Sequence, residues 1–97
     1  MNKQEAGRLA EQRLDEWQRS VTYENLAFAD EHSSSTSSEV RVGDVAYEVT
    51  FTVYREQRES AYTMSVRVTE VGKRSLFRSA VSRHGRKHPD GRFSLGA

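Results

Sequence analysis

The segment "SRHGRKHPDGRF" (residues 82–93) gathers four Arg or Lys and two His into twelve positions. Three chemistries use such residues. His84 and His88 are four apart, a metal-ligand spacing if they lie on a helix, and His32 or Asp90 could complete a three-ligand set. Gly85 between them and Pro89 directly after them oppose a continuous helix, and Arg83, Arg86 and Lys87 repel a divalent cation. The same imidazoles could act as acid and base in a metal-free ribonuclease, with arginines on the phosphate. Finally, Lys73, Arg74, Arg78, Arg83, Arg86, Lys87 and Arg92 could track a nucleic-acid backbone, where electrostatics supply most of the affinity. The plain reading of the same cluster is a solvated edge that discourages aggregation.

The charge distribution sharpens the question. From Met1 to Val71 the chain carries 8 Lys or Arg and 13 Asp or Glu, a balance of −5; from Gly72 to Ala97 it carries 7 and 1, a balance of +6. Such asymmetry points to an acidic partner, to nucleic acid, or to a polar homodimer that pairs one half with the other. No cysteine is present, so there is no disulfide framework, thiolate zinc site or cysteine nucleophile. No apolar run approaches the roughly 20 residues needed to span a bilayer, and "MNKQEAGRLAEQ" lacks an apolar signal core. Cytoplasm is the default compartment. Nucleophile elbow, phosphate-cradling glycine loop and paired carboxylates at a readable spacing are all missing.

The elements that must position these residues are partly readable. Ala6, Leu9, Ala10, Leu14, Trp17 and Val21 recur at three- and four-residue steps and predict an amphipathic helix over about 3–20, with Asn2 as cap. "VTYENLAFADEH" is ambiguous, with its aromatic and β-branched residues favouring strand for part of it. "HSSSTSSE" reads as a polar loop. In "VAYEVTFTVYREQRESAYTMSVRV", apolar Val45, Tyr47, Val49, Phe51 and Val53 alternate with polar neighbours, and so do Tyr62, Met64, Val66 and Val68. This predicts a hairpin of strands at about 45–55 and 60–71. Folding it about Gln57–Arg58 sets Phe51 opposite Met64, Val53 opposite Tyr62, and Glu48 opposite Arg67 on the far face. Trp17 should then cover Phe51. Turns are expected at Gly43–Asp44, at Gly72–Lys73 and at Pro89-Asp90-Gly91, the last leading to a short strand with Phe93 and Leu95. Residues 74–82 fit strand or helix, with strand preferred.

The outward face of this sheet, Glu48, Thr50, Thr52, Thr63, Ser65 and Arg67, offers only Tyr54 as an aromatic platform, which weighs against single-strand nucleic-acid binding by base stacking. The segments "VRVGDVAYEV" and "VRVTEVGKRSLFR" resemble the central strands of RelE/ParE-type ribosome- or gyrase-directed toxins. The resemblance covers under half the chain, which lacks that family's N-terminal strand and second helix. Val45-Ala46 also stands where an aromatic–arginine pair is usual. It implies a small nuclease or toxin.

The sequence therefore predicts a single α+β domain over 1–97. An N-terminal helix packs on one face of a twisted antiparallel meander of three to five strands, cystatin-like in general architecture. The function expected by elimination is a small non-enzymatic interaction protein, of accessory, regulatory or inhibitor type, that binds a protein partner or itself. No catalytic residue, cofactor or metal is assigned. The candidate surface is the basic segment 72–97, with the Thr-rich outer sheet face as a second. Nucleic-acid binding through Lys73, Arg74, Arg78, Arg83, Arg86, Lys87 and Arg92 is the first alternative, and a metal-free ribonuclease or toxin the second.

Overall fold

The computed structural model describes residues 2–31, 35–72 and 80–96. Helix α1 runs over Lys3–Ser20. Asn2 caps it, its Oδ1 accepting the Glu5 N–H at 3.1 Å, which satisfies one of the orphan amides of the first turn. The helix stops where Val21 turns extended, at φ −108° and ψ 144°.

A second helix, α2, follows at Tyr23–Glu31. This corrects the strand preference for that stretch. Thr22 Oγ1 accepts the Asn25 N–H at 3.1 Å, and Asn25 Oδ1 accepts the Thr22 N–H at 3.2 Å. That reciprocal cap fixes the helix start, and it outweighs the modest β preference of the aromatic residues. Leu26 is the buried anchor of α2.

Five antiparallel strands follow: β1 Ser35–Val42, β2 Val45–Tyr54, β3 Tyr62–Glu70, β4 Ala80–Lys87 and β5 Phe93–Leu95. They pair in chain order, each with the next. The helices lie on one face, α1 across β3 and β4 and α2 across β2 and β3. The result is a two-layer α+β structure. Leu9, Ala10 and Leu14 of α1 and Leu26 of α2 meet Tyr47, Val49, Met64, Val66 and Val68 in the core. Trp17 stands edge-on to Phe51, ring centroids 5.3 Å apart and planes at 82°, as the apolar stripe predicts. No described helix is long and apolar enough to cross a membrane.

Three further expectations need correction. In "HSSSTSSE", residues 32–34 lie outside the described residues, while Ser35 to Glu39 are not loop but the first five residues of β1. Their hydroxyls find partners on β2, Ser35 with Thr52 at 3.3 Å and Ser37 with Thr50 at 3.0 Å, so a polar segment gains ladder and side-chain bonds together. The hairpin register is shifted by two residues: Phe51 faces Val66, Val53 faces Met64, and Glu48 faces Thr69 while Arg67 faces Thr50. Both registers keep the apolar face intact, so alternation cannot separate them, and the connection decides. Glu59 N–H bonds the Glu56 carbonyl at 3.1 Å, with Arg58 at φ +71°. This β-turn is centred on Gln57–Arg58, as expected, but three residues, Ser60–Tyr62, separate it from Thr63, while Arg55 alone separates it from Tyr54, the residue facing Thr63. This asymmetry of the connection displaces the register by two. Tyr62 is freed to pack on Tyr23, ring centroids 5.1 Å apart, with Arg55 over its ring. Lastly, residues 82–87, whose plain reading is a solvated edge, are part of strand β4, which lies inside the sheet between β3 and β5. The strand preference for 74–82 agrees with β4 at Ala80–Ser82, and its remainder lies outside the described residues.

Candidate functional site

Strand alternation sends the basic residues of β4 to opposite faces. Val81, Arg83, Gly85 and Lys87 turn toward the helices; Ser82, His84 and Arg86 turn outward. The Arg83 Nε donates to Glu11 Oε1 of α1 at 3.1 Å, and its Nη1 to the Ser82 carbonyl at 2.9 Å. Lys87 is 7% exposed, and its Nζ donates to the Gln18 carbonyl at 2.7 Å. That carbonyl sits in the last turn of α1, where helix carbonyls lack partners and the dipole favours a cation. Lys87 thus fastens the end of α1 to the sheet. Arg86, on the far face, lies 4.0 Å from Glu56. Arg92 is exposed in the turn after β4, where its N–H bonds Asp90 Oδ1 at 2.9 Å. Lys73, Arg74 and Arg78 lie outside the described residues. The four described cations of the candidate surface therefore do not share one face.

His84 and His88 do not lie on a helix. They are four residues apart along an extended chain, about 13 Å at strand rise, and His88 Nε2 is 2.9 Å from Ser94 Oγ. His32 lies outside the described residues. The described residues contain no group of three His, Asp or Glu suited to hold a metal ion.

Two titratable groups among the described residues are clearly shifted. Tyr47 is fully buried, and its hydroxyl donates to Glu5 Oε2 at 2.7 Å. Burial first, and the Glu5 carboxylate second, push it up to about 12. The Gln18 amide, then Arg19, hold the Asp15 carboxyl below its usual range. Neither shift makes a group poised for proton transfer near neutrality. A cleft of about 430 Å³ lies between Trp17, Phe51, Val53, Ala29 and Thr36, with Arg13 and Glu16 at its rim. Those two form an ion pair at 3.5 Å.

The outer sheet face is uncovered by either helix and is a hydroxyl-rich plane. Glu48 and Arg67 are exposed on it, Thr50, Thr52 and Ser65 are half-buried, and Thr63 is buried at 4%, between Tyr54 and Arg86 in the facing strands. Glu39 faces Glu48 directly across β1 and β2, a like-charge pair that costs stability.

The two sheet edges differ. β5 has three residues, and the Phe93 ring lies over Gly85 of β4. β1 is an eight-residue edge strand in continuous register with β2. It contains no proline, bulge or lysine, and its helix-side positions, Thr36, Ser38, Val40 and Val42, carry no charge. Apart from the charges of Glu39 and Arg41, the usual protections of an edge are missing from it among the described residues. Its outward groups follow from the turn. Gly43 takes φ +61° while Asp44 keeps a negative φ, the type II′ pattern that glycine permits and that suits a two-residue hairpin. Val42 and Val45 then close the hairpin as a hydrogen-bonded pair. The bond from Val71 N to the Ala46 carbonyl, 2.9 Å, agrees: Ala46 points to β3, so Val45 points to β1. By alternation, Ser35, Ser37, Glu39 and Arg41 turn their N–H and C=O groups to the open edge.

Sequence reasoning missed this strand because serine carries no hydrophobic period. The readable signal was the alternation of Val40 and Val42 with Glu39 and Arg41, running straight into Gly43. In comparisons with known proteins the chain matches no family model, no curated protein and no solved structure.

Proposed function

We propose that this chain is a small non-enzymatic interaction protein that engages a protein partner, or a second copy of itself, by strand addition at the open edge of β1. The observation that carries this reading is the combination at β1: eight paired residues on one side, unblocked backbone groups on the other, and no protective charge on the helix-side face. Strand addition draws affinity from main-chain bonds and specificity from alternate side chains. The basic segment then plays a supporting part, Arg83 and Lys87 holding α1 and the sheet together. Nucleic-acid binding draws less support, because two of the described cations are engaged by α1.

The test uses displayed eight-residue peptides selected against the intact chain and counter-screened on a Glu39→Pro variant. Proline at an outward-facing N–H of an edge strand removes no internal ladder bond, so the variant should fold. Peptides of alternating pattern that bind the wild-type chain and lose the variant support the reading. Selected peptides that bind both equally refute it, as does a selection that yields none.

A further inference from the structure

β1 carries one acid and one base, Glu39 and Arg41, both on the outer sheet face and both with backbone groups directed to the open edge. Glu39 faces Glu48 within its own sheet, and Arg41 faces Ala46. The acid therefore lies beside a like charge, and the base has no acid opposite it. A partner strand that sets a cation beside Glu39 and an anion beside Arg41 would correct both.

The strand that does so is β1 itself. Two antiparallel copies related by a two-fold axis can be centred on any residue of the strand, and charge selects among the choices. Centring on Glu39 sets that carboxylate against its own copy, and centring on Arg41 does the same for the guanidinium. Centring between two residues sets outward backbone groups against inward ones, so no ladder forms. Centring on Val40 sets Glu39 opposite Arg41 of the second copy and Arg41 opposite its Glu39. Both are outward-facing residues, so these become the hydrogen-bonded pairs. Val40 then meets its own copy as a non-hydrogen-bonded pair, the arrangement in which side chains approach closest. Its neighbours Ser38 and Val42 face each other on the helix side.

We infer that two copies of the chain associate through β1 about a two-fold axis at Val40. This rests on the strand-addition reading and names its occupant. The interface is isologous and closed. The axis is perpendicular to the sheet, so both helical layers lie on one face, and the five strands of each copy join in a single continuous sheet. About four backbone bonds and two ion pairs cross the seam, which places the association at the weaker end of specific interfaces.

Sedimentation velocity over a concentration series tests it, on the wild-type chain, Glu39→Arg, Arg41→Glu, the double swap Glu39→Arg/Arg41→Glu, and Glu39→Pro. The wild type should pass from one chain to two as concentration rises. Each single reversal creates two like-charge contacts across the axis and should weaken association by about tenfold or more. The double swap restores opposite charges and should return most of the affinity. Glu39→Arg also relieves the repulsion from Glu48, so it should remain folded by circular dichroism. A wild type that stays a single chain up to millimolar concentration overturns the second copy; if it still binds selected peptides that Glu39→Pro loses, strand addition stands. A dimer indifferent to the charge reversals overturns the Val40 register. A dimer that survives Glu39→Pro overturns strand addition itself.

Discussion

Gly85 is the position that decides whether β5 stays on the sheet. A Cβ placed there would fall inside the Phe93 ring edge, 2.8 Å from Cε1 and closer still to Cζ, and 2.7 Å from the Ser94 carbonyl oxygen. Ordinary carbon contacts lie at about 3.5–4.0 Å. In Gly85→Ala the ring must therefore withdraw by about an ångström or more. The ring alone can rotate away, but the Ser94 oxygen is backbone and moves only if β5 moves. Overpacking of this kind costs about 1–3 kcal/mol. Two effects compete. Alanine is favoured over glycine within a strand by about 0.5–1 kcal/mol, so the net loss expected is about 1–2 kcal/mol. Urea melts of Gly85→Ala, Phe93→Ala and the double variant measure it. Because the ring accounts for the tightest contacts, the double variant should lose less than the sum of the two singles, by about 0.5–1 kcal/mol. Amide exchange at Gly96, whose N–H bonds the His84 carbonyl at 2.9 Å, should speed up in Gly85→Ala before any strand of the central sheet does. A Gly85→Ala chain as stable as the wild type, or strictly additive singles, would refute the ring-on-glycine account.

Trp17 is partly exposed, so Trp17→Ala should cost about 2–4 kcal/mol, less than the usual range for a fully buried ring; a chemical melt showing under about 1 kcal/mol would mean that α1 does not rely on the Phe51 contact. Tyr47→Phe removes a hydrogen bond to a carboxylate and should cost about 1–2 kcal/mol at neutral pH. Because folding raises the Tyr47 pKa from 10.0 to about 12, its contribution is whole below pH 10 and is lost as pH climbs toward 12. Stability of the wild type should therefore fall more steeply across that window than stability of Tyr47→Phe, which pH-dependent melts can read. Lys87→Met keeps the apolar stem but leaves the Gln18 carbonyl without its donor, and should cost about 1 kcal/mol; Lys87→Ala also loses the packing of the stem and should cost more. Equal melts for Met and Ala would show that the stem contributes nothing.

The legible parts of the fold were those with a period or a punctuating turn. The 3.6-residue stripe from Ala6 to Trp17 marked α1, alternation marked β2 and β3, and Pro89-Asp90-Gly91 marked the reversal into β5. The illegible parts lacked either signal. α2 hid because nine residues are too few to establish a stripe, and its Thr22–Asn25 cap uses asparagine where glutamate or glutamine is usual. The hairpin register slipped because a shift of two preserves every apolar face, leaving only the unequal lengths of chain on the two sides of the Glu56–Glu59 turn to arbitrate. β4 was obscured because its inward positions are Arg83, Gly85 and Lys87, each excused by a contact invisible in the sequence: Glu11, the Phe93 ring and the Gln18 carbonyl. The same three contacts explain why the basic cluster read as a single surface when its described members divide between two faces.

The strands pair only with their neighbours in the chain, so the sheet can zip up by successive hairpins of low contact order. The helix is different. Its ties to β4 bridge 72 residues from Glu11 to Arg83 and 69 from Gln18 to Lys87. Synthesis runs from the N-terminus, so α1 leaves the ribosome well before the strand that receives it exists. Throughout that interval the Leu9–Leu14–Trp17 stripe is without its final cover, the condition in which nascent chains attract chaperones or one another. Docking of α1 can begin on β2 and β3, with Trp17 on Phe51, but it is completed only when β4 supplies Arg83 and Lys87, and arrested synthesis before β4 should leave a species that is sticky along the uncovered side of its first helix.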